Sequence, residues 1–376
     1  MRTGAASGGV AGLRERALSP LPLAVEDPAD AGVDGKVEVV TRAGDAARSA
    51  DGRIRQTQVT YVRVRQHIAV ATADGRLVRD VRTRTRMTCR TVAKDGRGAR
   101  AGFEGPGIGG EGDLFDRQSP ERIGYEAAAR AVRMLEGRPW SAERPVVVLG
   151  PAAGGLLLHE ACGHGLEGDG LARKISVFAE SAGRALGSEL VSAIDDPRYG
   201  DGFGSYLVDD EGQVSAPNVL IDRGRQVGAL TDTGSAASLP EGLRSSNGRR
   251  ESYAHPPLAR MSNTYIAPGS DAGEDIVSAV RRGLYVARLS GGDVDIASGN
   301  FAFTSSEAYA IENGVLASPV VDVTVLGNGP RTLSSIEVVG DDLAFTQAMC
   351  GKEDQWIPVS YGSPTLLIHG LTVTGG

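Results

Sequence analysis

Between residues 56 and 92 apolar and polar positions alternate with a period of two, the signature of strand. Residues 59–65 and 68–72 read as strand, Ala73-Asp74-Gly75 as a hairpin turn, and 81–92 as the return strand. On the return strand Val81, Thr83, Thr85, Met87 and Cys89 share one face, and Arg82, Arg84, Arg86 and Arg90 share the other. That arginine face could form a wall for a peptide or phosphate. Charge runs are ordinarily solvated, and a solvent-facing sheet surface is the expectation.

The period then changes. Ser119-Pro120-Glu121 opens a helix, with Ser as N-cap, Pro in the first turn and Glu at the positive end of the dipole. Ile123, Ala127, Ala131 and Leu135 repeat every fourth residue, and Gly137 ends it. Residues 145–150 read as a buried strand. Further strands are expected at 206–208, 218–222, 284–290, 301–303, 308–312, 320–326 and 335–339, with two more inside 356–373. A second helix is expected over 270–283, with Ile276, Val277 and Val280 turned inward. Residues 1–50 show no clear period and read as a poorly defined lead-in, and 11–18 is too short a helix to stand alone. The fold class is α+β: a mixed N-terminal domain over 1–144 with a hairpin and helices, and a β-rich C-terminal domain over 145–376.

Composition narrows the function. The 376-residue chain is 41% hydrophobic and 23% charged, ordinary for a globular protein. A net charge of −7 argues against a nucleic-acid partner. Three cysteines make no disulfide framework, no apolar run is long enough to span a membrane, and the N-terminus lacks a signal-peptide core. A cytoplasmic protein without a membrane partner is the expectation.

The chemistry gathers at the junction of the two regions, in Leu156-Leu157-Leu158-His159-Glu160-Ala161-Cys162-Gly163-His164-Gly165-Leu166-Glu167-Gly168-Asp169. Strand 145–150 and the glycines after it lack the Gly-Lys-Ser/Thr ending of a phosphate loop. The familiar zinc helix spaces its histidines by four residues; His159 and His164 are five apart, ~140° around an ideal helix. Both reach one metal only if the helix carries a π-type bulge or unwinds, which Gly163 and Gly165 permit. A catalytic zinc takes three protein ligands and a water. Cys162, Cys350, Glu167, Asp169 and His255 are candidates for the third ligand. Cys350 is favoured, since a thiolate in its loop-like stretch would meet both the metal and Lys352. Water on such a zinc is acidified, and Glu160 could carry its proton to a leaving amine, which is peptide hydrolysis. The competing reading is a metal-binding or peptide-binding scaffold that cleaves nothing; it has no need of Glu160.

The stretch from His159 to Asp169 resembles the TldD/PmbA family of zinc metalloproteases, and its TldD branch in particular. So do Gly248-Arg249-Arg250-Glu251-Ser252-Tyr253-Ala254-His255-Pro256, the segment Arg260-Met261-Ser262-Asn263-Thr264, the segment Ser306-Glu307-Ala308-Tyr309-Ala310-Ile311-Glu312-Asn313-Gly314, and Met349-Cys350-Gly351-Lys352. The resemblance implies zinc held by His159, His164 and Cys350, with Glu160 as catalytic base. It also implies an enclosed site for unfolded peptides or small proteins, and a sister subunit of the PmbA (TldE) branch, with a homo-oligomer as the alternative. Tyr253, His255 and Arg250 lie in a family stretch and are candidates for gripping substrate. The family's further N-terminal strand–helix segment is expected to be absent or reduced to residues 1–51.

Overall fold

In the computed structural model, which describes residues 14–15, 32–73 and 75–375, the alternating segment is one long hairpin. β1 (Ile54–Ala71) pairs antiparallel with β2 (Arg76–Asp95), and β3 (Gly98–Glu104) and β4 (Gly107–Gly109) continue the sheet from β2. Asp74, in the expected turn, lies outside the described residues. Of the segment 11–18 only Arg14–Glu15 is described, pairing in parallel with Arg76 and Leu77.

Two helices cover one face of this sheet. α2 (Pro120–Leu135) begins where its cap residues place it, with Ser119 Oγ accepting the Arg122 N–H at 3.3 Å. α1 (Gly32–Ser49) corrects the expectation of an undefined lead-in over its own residues, while 1–31, apart from Arg14–Glu15, lie outside the described residues. It buries Ala43, Gly44 and Ala47, residues too small to give a strong apolar stripe, so the pattern alone does not reveal it. The two helices touch at Gly124, where a Cβ would run into the Ala43 carbonyl. Ala43, Ala47, Ile123 and Ala127 close a core with Met87, Cys89, Ile108 and Leu114.

The opposite face of β2 overturns the solvated-surface expectation. Arg82 and Arg84 are buried. Arg82 donates to Asp210 at 3.0 Å and Asp80 at 3.2 Å. Arg84 donates to the carbonyls of Phe203 and Ser205 at 2.9 and 3.2 Å, and Arg86 to that of Gln347 at 3.0 Å. Every partner except Asp80 lies in the second half of the chain, so the row joins the N-terminal sheet to the rest of the molecule. It is neither a water-facing surface nor a phosphate wall, and only Arg90 is exposed.

The second half is built on a nine-stranded and a six-stranded sheet. In the larger, β5 (Val146–Leu149) runs parallel to β7 (Arg282–Asp295) and antiparallel to β11 (Leu366–Ile368), and β7 pairs with β8 (Asn300–Glu312). In the smaller, β6 (Asn263–Ile266) runs parallel to β10 (Gln355–Ser363), which pairs with the edge strand β9 (Ala344–Lys352). The main core, including Leu157, Leu158, Leu166, Met261, Leu284 and Phe303, brings the central helix together with strands of both sheets.

Several sequence boundaries move. Residues 301–303 and 308–312 are one strand, β8. The run 320–326 is two strands broken at Asp322, whose φ is 57°. Residues 206–208 form no strand beyond a single Val208–Val214 bridge. The helix expected over 270–283 shrinks to Gly273–Ser278, because Gly283 is already paired to Val146 in the sheet.

Candidate metal centre

β5 leaves the large sheet through Ala152, a left-handed residue at φ 69°, and enters α3 (Ala153–Leu158), all of whose residues are buried. Gly155 sets how close α3 lies to the small sheet: a Cβ there would sit 2.6 Å from the Gly362 amide nitrogen on β10. At His159 the hydrogen bonding widens. The His164 N–H donates to the His159 carbonyl five residues back, and His159–Gly163 forms a π turn followed by a 3-10 turn over His164–Leu166. The extra residue between the histidines is absorbed in this turn, as their spacing requires. Their rings lie edge to face at 5.0 Å.

Cys350 reaches them from a strand, β9, which corrects the loop-like reading. The β9–β10 hairpin closes through Glu353 and Asp354, both at positive φ (48° and 59°), a turn of type I′ character without the usual Asn-Gly or Asp-Gly signal. Cys350 Sγ lies 3.2 Å from His159 Nε2 and 3.4 Å from His164 Nε2. One ligand atom from each of the three residues falls within 4.8 Å of the others. Tetrahedral zinc bonded to sulfur and imidazole sets these atoms about 3.6 Å apart, so the donor set fits that ion. Burial alone would raise the Cys350 thiol; the charges and hydrogen bonds of His159 and His164 outweigh it and bring it down to about 4. Lys352 is not spent on the thiolate as expected. Its ammonium donates to Glu167 at 2.9 Å and Asp169 at 2.8 Å.

A buried ionic layer supports one side. His164 Nδ1 lies 3.1 Å from Glu167 Oε2, which leaves Nε2 turned to Cys350. Glu167 is buried, and burial opposes its charge; His164, Lys352 and Arg260 overcome this and hold its carboxyl at about 2. The fully buried Arg260 donates to the Cys350 carbonyl at 2.6 Å. Glu167 and Asp169, candidate ligands by sequence, therefore stand outside the three-residue cluster and hold the groups around it. His159 has no such support: among the described residues its buried Nδ1 has no partner.

Glu160 stays partly open to solvent, with Oε2 3.8 Å from His164 Nε2. Cys162 points into the core, where burial pushes its thiol up to about 12, and it does not join the cluster. His255 is also absent from that cluster, with Nδ1 3.0 Å from Ser252 Oγ. Tyr253 is 93% exposed, and the Arg250 N–H donates to Asp210 at 2.9 Å. Among the described residues no hydrogen bond or ion pair ties these three to the histidines or Cys350. Reasoning from sequence assigned no role to Tyr361, whose ring lies 5.7 Å from that of His159. Burial, with the charge of Glu160 second, pushes its phenol up to about 12.

Two imidazoles, a thiolate and an adjacent carboxylate on this α+β scaffold are a donor set of the kind a metallopeptidase uses. Models of the PmbA/TldA metallopeptidase central and C-terminal domains match residues 26–135 and 142–375, and the chain belongs to the PmbA/TldD family. It is 37% identical over 350 residues to a metalloprotease TldD homolog of Buchnera aphidicola, covering 90% of this chain and 72% of the relative. A zinc metalloprotease TldD homolog of Saccharolobus solfataricus is 28% identical over 265 residues, 70% of this chain and 59% of the relative. The crystal structure of TldE from Thermococcus kodakarensis superposes with a TM-score of 0.71 at 22% identity, covering 96% of this chain and 80% of that one. The protein is thus a hydrolase of metallopeptidase type, and no helix among its described residues is long and apolar enough to cross a membrane.

Proposed function

We propose that this chain is a zinc peptidase that cleaves unfolded peptides or small proteins, with His159, His164 and Cys350 holding the ion and Glu160 as the general base. The observation that carries this reading is the convergence of three donor atoms within 4.8 Å beside a partly exposed carboxylate. When bound, zinc supplies Lewis acidity toward a water and a carbonyl oxygen. Glu160 takes the proton of the attacking water and returns it to the amine as the C–N bond breaks. Glu167 keeps His164 in one tautomer with Nε2 free, and the buried layer of Lys352 and Arg260 keeps Glu167 ionised. The name of the Saccharolobus relative supports zinc as the ion, and the likeness to a TldE structure supports a sister subunit of that branch as partner. Tyr253 stands ready to meet substrate or a partner, while His255 and Arg250 shape its loop.

Metal content and cleavage of an unfolded polypeptide test the assignment. Cys350→Ala is expected to lose stoichiometric zinc. Glu160→Gln is expected to keep the metal and lose at least about 100-fold in cleavage rate. Full occupancy in the first variant would remove Cys350 as a ligand, and wild-type turnover in the second would remove the base.

A further inference from the structure

We propose that the Tyr361 hydroxyl donates a hydrogen bond to the oxygen of the scissile carbonyl as negative charge builds on it; this rests on the peptidase reading above. The placement follows from strand geometry. Cys350 faces Ile357 across the β9–β10 hairpin, and side chains alternate along a strand, so Ile357, Val359 and Tyr361 share the Cys350 face. The helix that carries His159 packs on that face through Gly155 and Gly362, and it sets the imidazole against the Tyr361 ring at 5.7 Å. Tyr361 therefore borders the donor cluster on its His159 side.

Its hydroxyl is uncommitted. Tyr206 gives its O–H to the Ser246 carbonyl at 2.8 Å, and Tyr309 gives its own to Glu307 at 2.7 Å. Tyr361, half-buried, has no hydrogen-bond partner among the described residues. A half-buried phenol that spends its O–H on no neighbouring side chain or carbonyl keeps that donor available to an incoming group. Three charges reach it: Glu160, the proposed base, Arg86, which arrives from the N-terminal sheet, and Arg288. Arg86 is anchored by its bond to the Gln347 carbonyl at 3.0 Å, and among the described residues its buried Nε has no partner. A fixed neutral donor backed by a cation, beside a carboxylate base, suits acyl transfer, because it meets charge that exists only in the transition state.

Tyr361→Phe separates this role from packing, since it keeps the ring and removes only the unbonded hydroxyl. Zinc content and melting temperature are expected to match wild type. Calorimetric affinity for a phosphinic peptide, whose tetrahedral anion mimics the transition state, should fall about 100-fold, with affinity for the cleaved product peptides unchanged. The kcat should fall by a similar factor at constant KM. Equal analogue affinity in Tyr361→Phe and wild type overturns the inference alone. Wild-type protein that neither binds the analogue nor cleaves peptide overturns the peptidase reading and this inference with it.

Discussion

Glu167 would serve a metal held by His159, His164 and Cys350 without touching it. It accepts from His164 and Lys352 in a buried layer that also holds Arg260, and each charge there is held in place by its opposite neighbours. Glu167→Gln keeps the shape, loses the charge and leaves Lys352 with Asp169 as its one carboxylate partner. Zinc affinity measured by competition with a chelator is expected to fall about 10- to 100-fold; an unchanged affinity would show that His164 needs no such partner. At this scale the sequence shows residue types but not their distances. It offered Glu167 and Asp169 as ligands, when His164 and Lys352 claim their oxygens. It singled out the His159–Glu160–His164 group because imidazoles and a carboxylate at that spacing are hard to explain by packing. Arg260 lay in a stretch resembling the family but carried no role, and nothing marked Tyr361, since a lone tyrosine in a strand-like segment has ordinary uses.

The π turn is the element on which the cluster depends, and it was legible. Histidines five positions apart do not share a face of a straight α-helix, and the helix yields where the sequence can accommodate it. The strand that answers it was not, because a two-residue turn of Glu353 and Asp354 lacks the usual hairpin signal. Between the two lies the Gly155–Gly362 approach. Gly155→Ala puts a methyl 2.6 Å from the Gly362 nitrogen, and backbone must move on one side or both. The expected cost is about 1–3 kcal/mol in denaturant unfolding, with weaker zinc retention. Gly170→Ala, whose nearest neighbour would be 3.8 Å away, serves as the control and should leave zinc retention as it is. Equal behaviour of the two variants would mean that helix-to-strand spacing does not govern the site.

For the whole molecule, the arginine row of β2 is the joint between the N-terminal sheet and the rest. Alternation correctly placed Arg82, Arg84 and Arg86 on one face, but no local pattern states what a face will meet. The partners lie more than a hundred residues away, at Asp210, Phe203 and Gln347. Arg82→Ala would leave Asp80 and Asp210 buried with their shared cation gone. It is expected to destabilise the protein by about 3–5 kcal/mol, read from the midpoint of urea unfolding. A loss below about 1 kcal/mol, the value of a surface pair, would return the row to the solvated reading.

Cys350 and His164 stand 186 residues apart in the chain, on an edge strand and on a helix fed from the other sheet. An ion held by both would act as a staple, closing a very long loop much as a disulfide does. By mass action, free metal at 100 times its dissociation constant would add about 2.7 kcal/mol to folding. Metal supply would then set how much folded protein a cell keeps, before any peptide is cut.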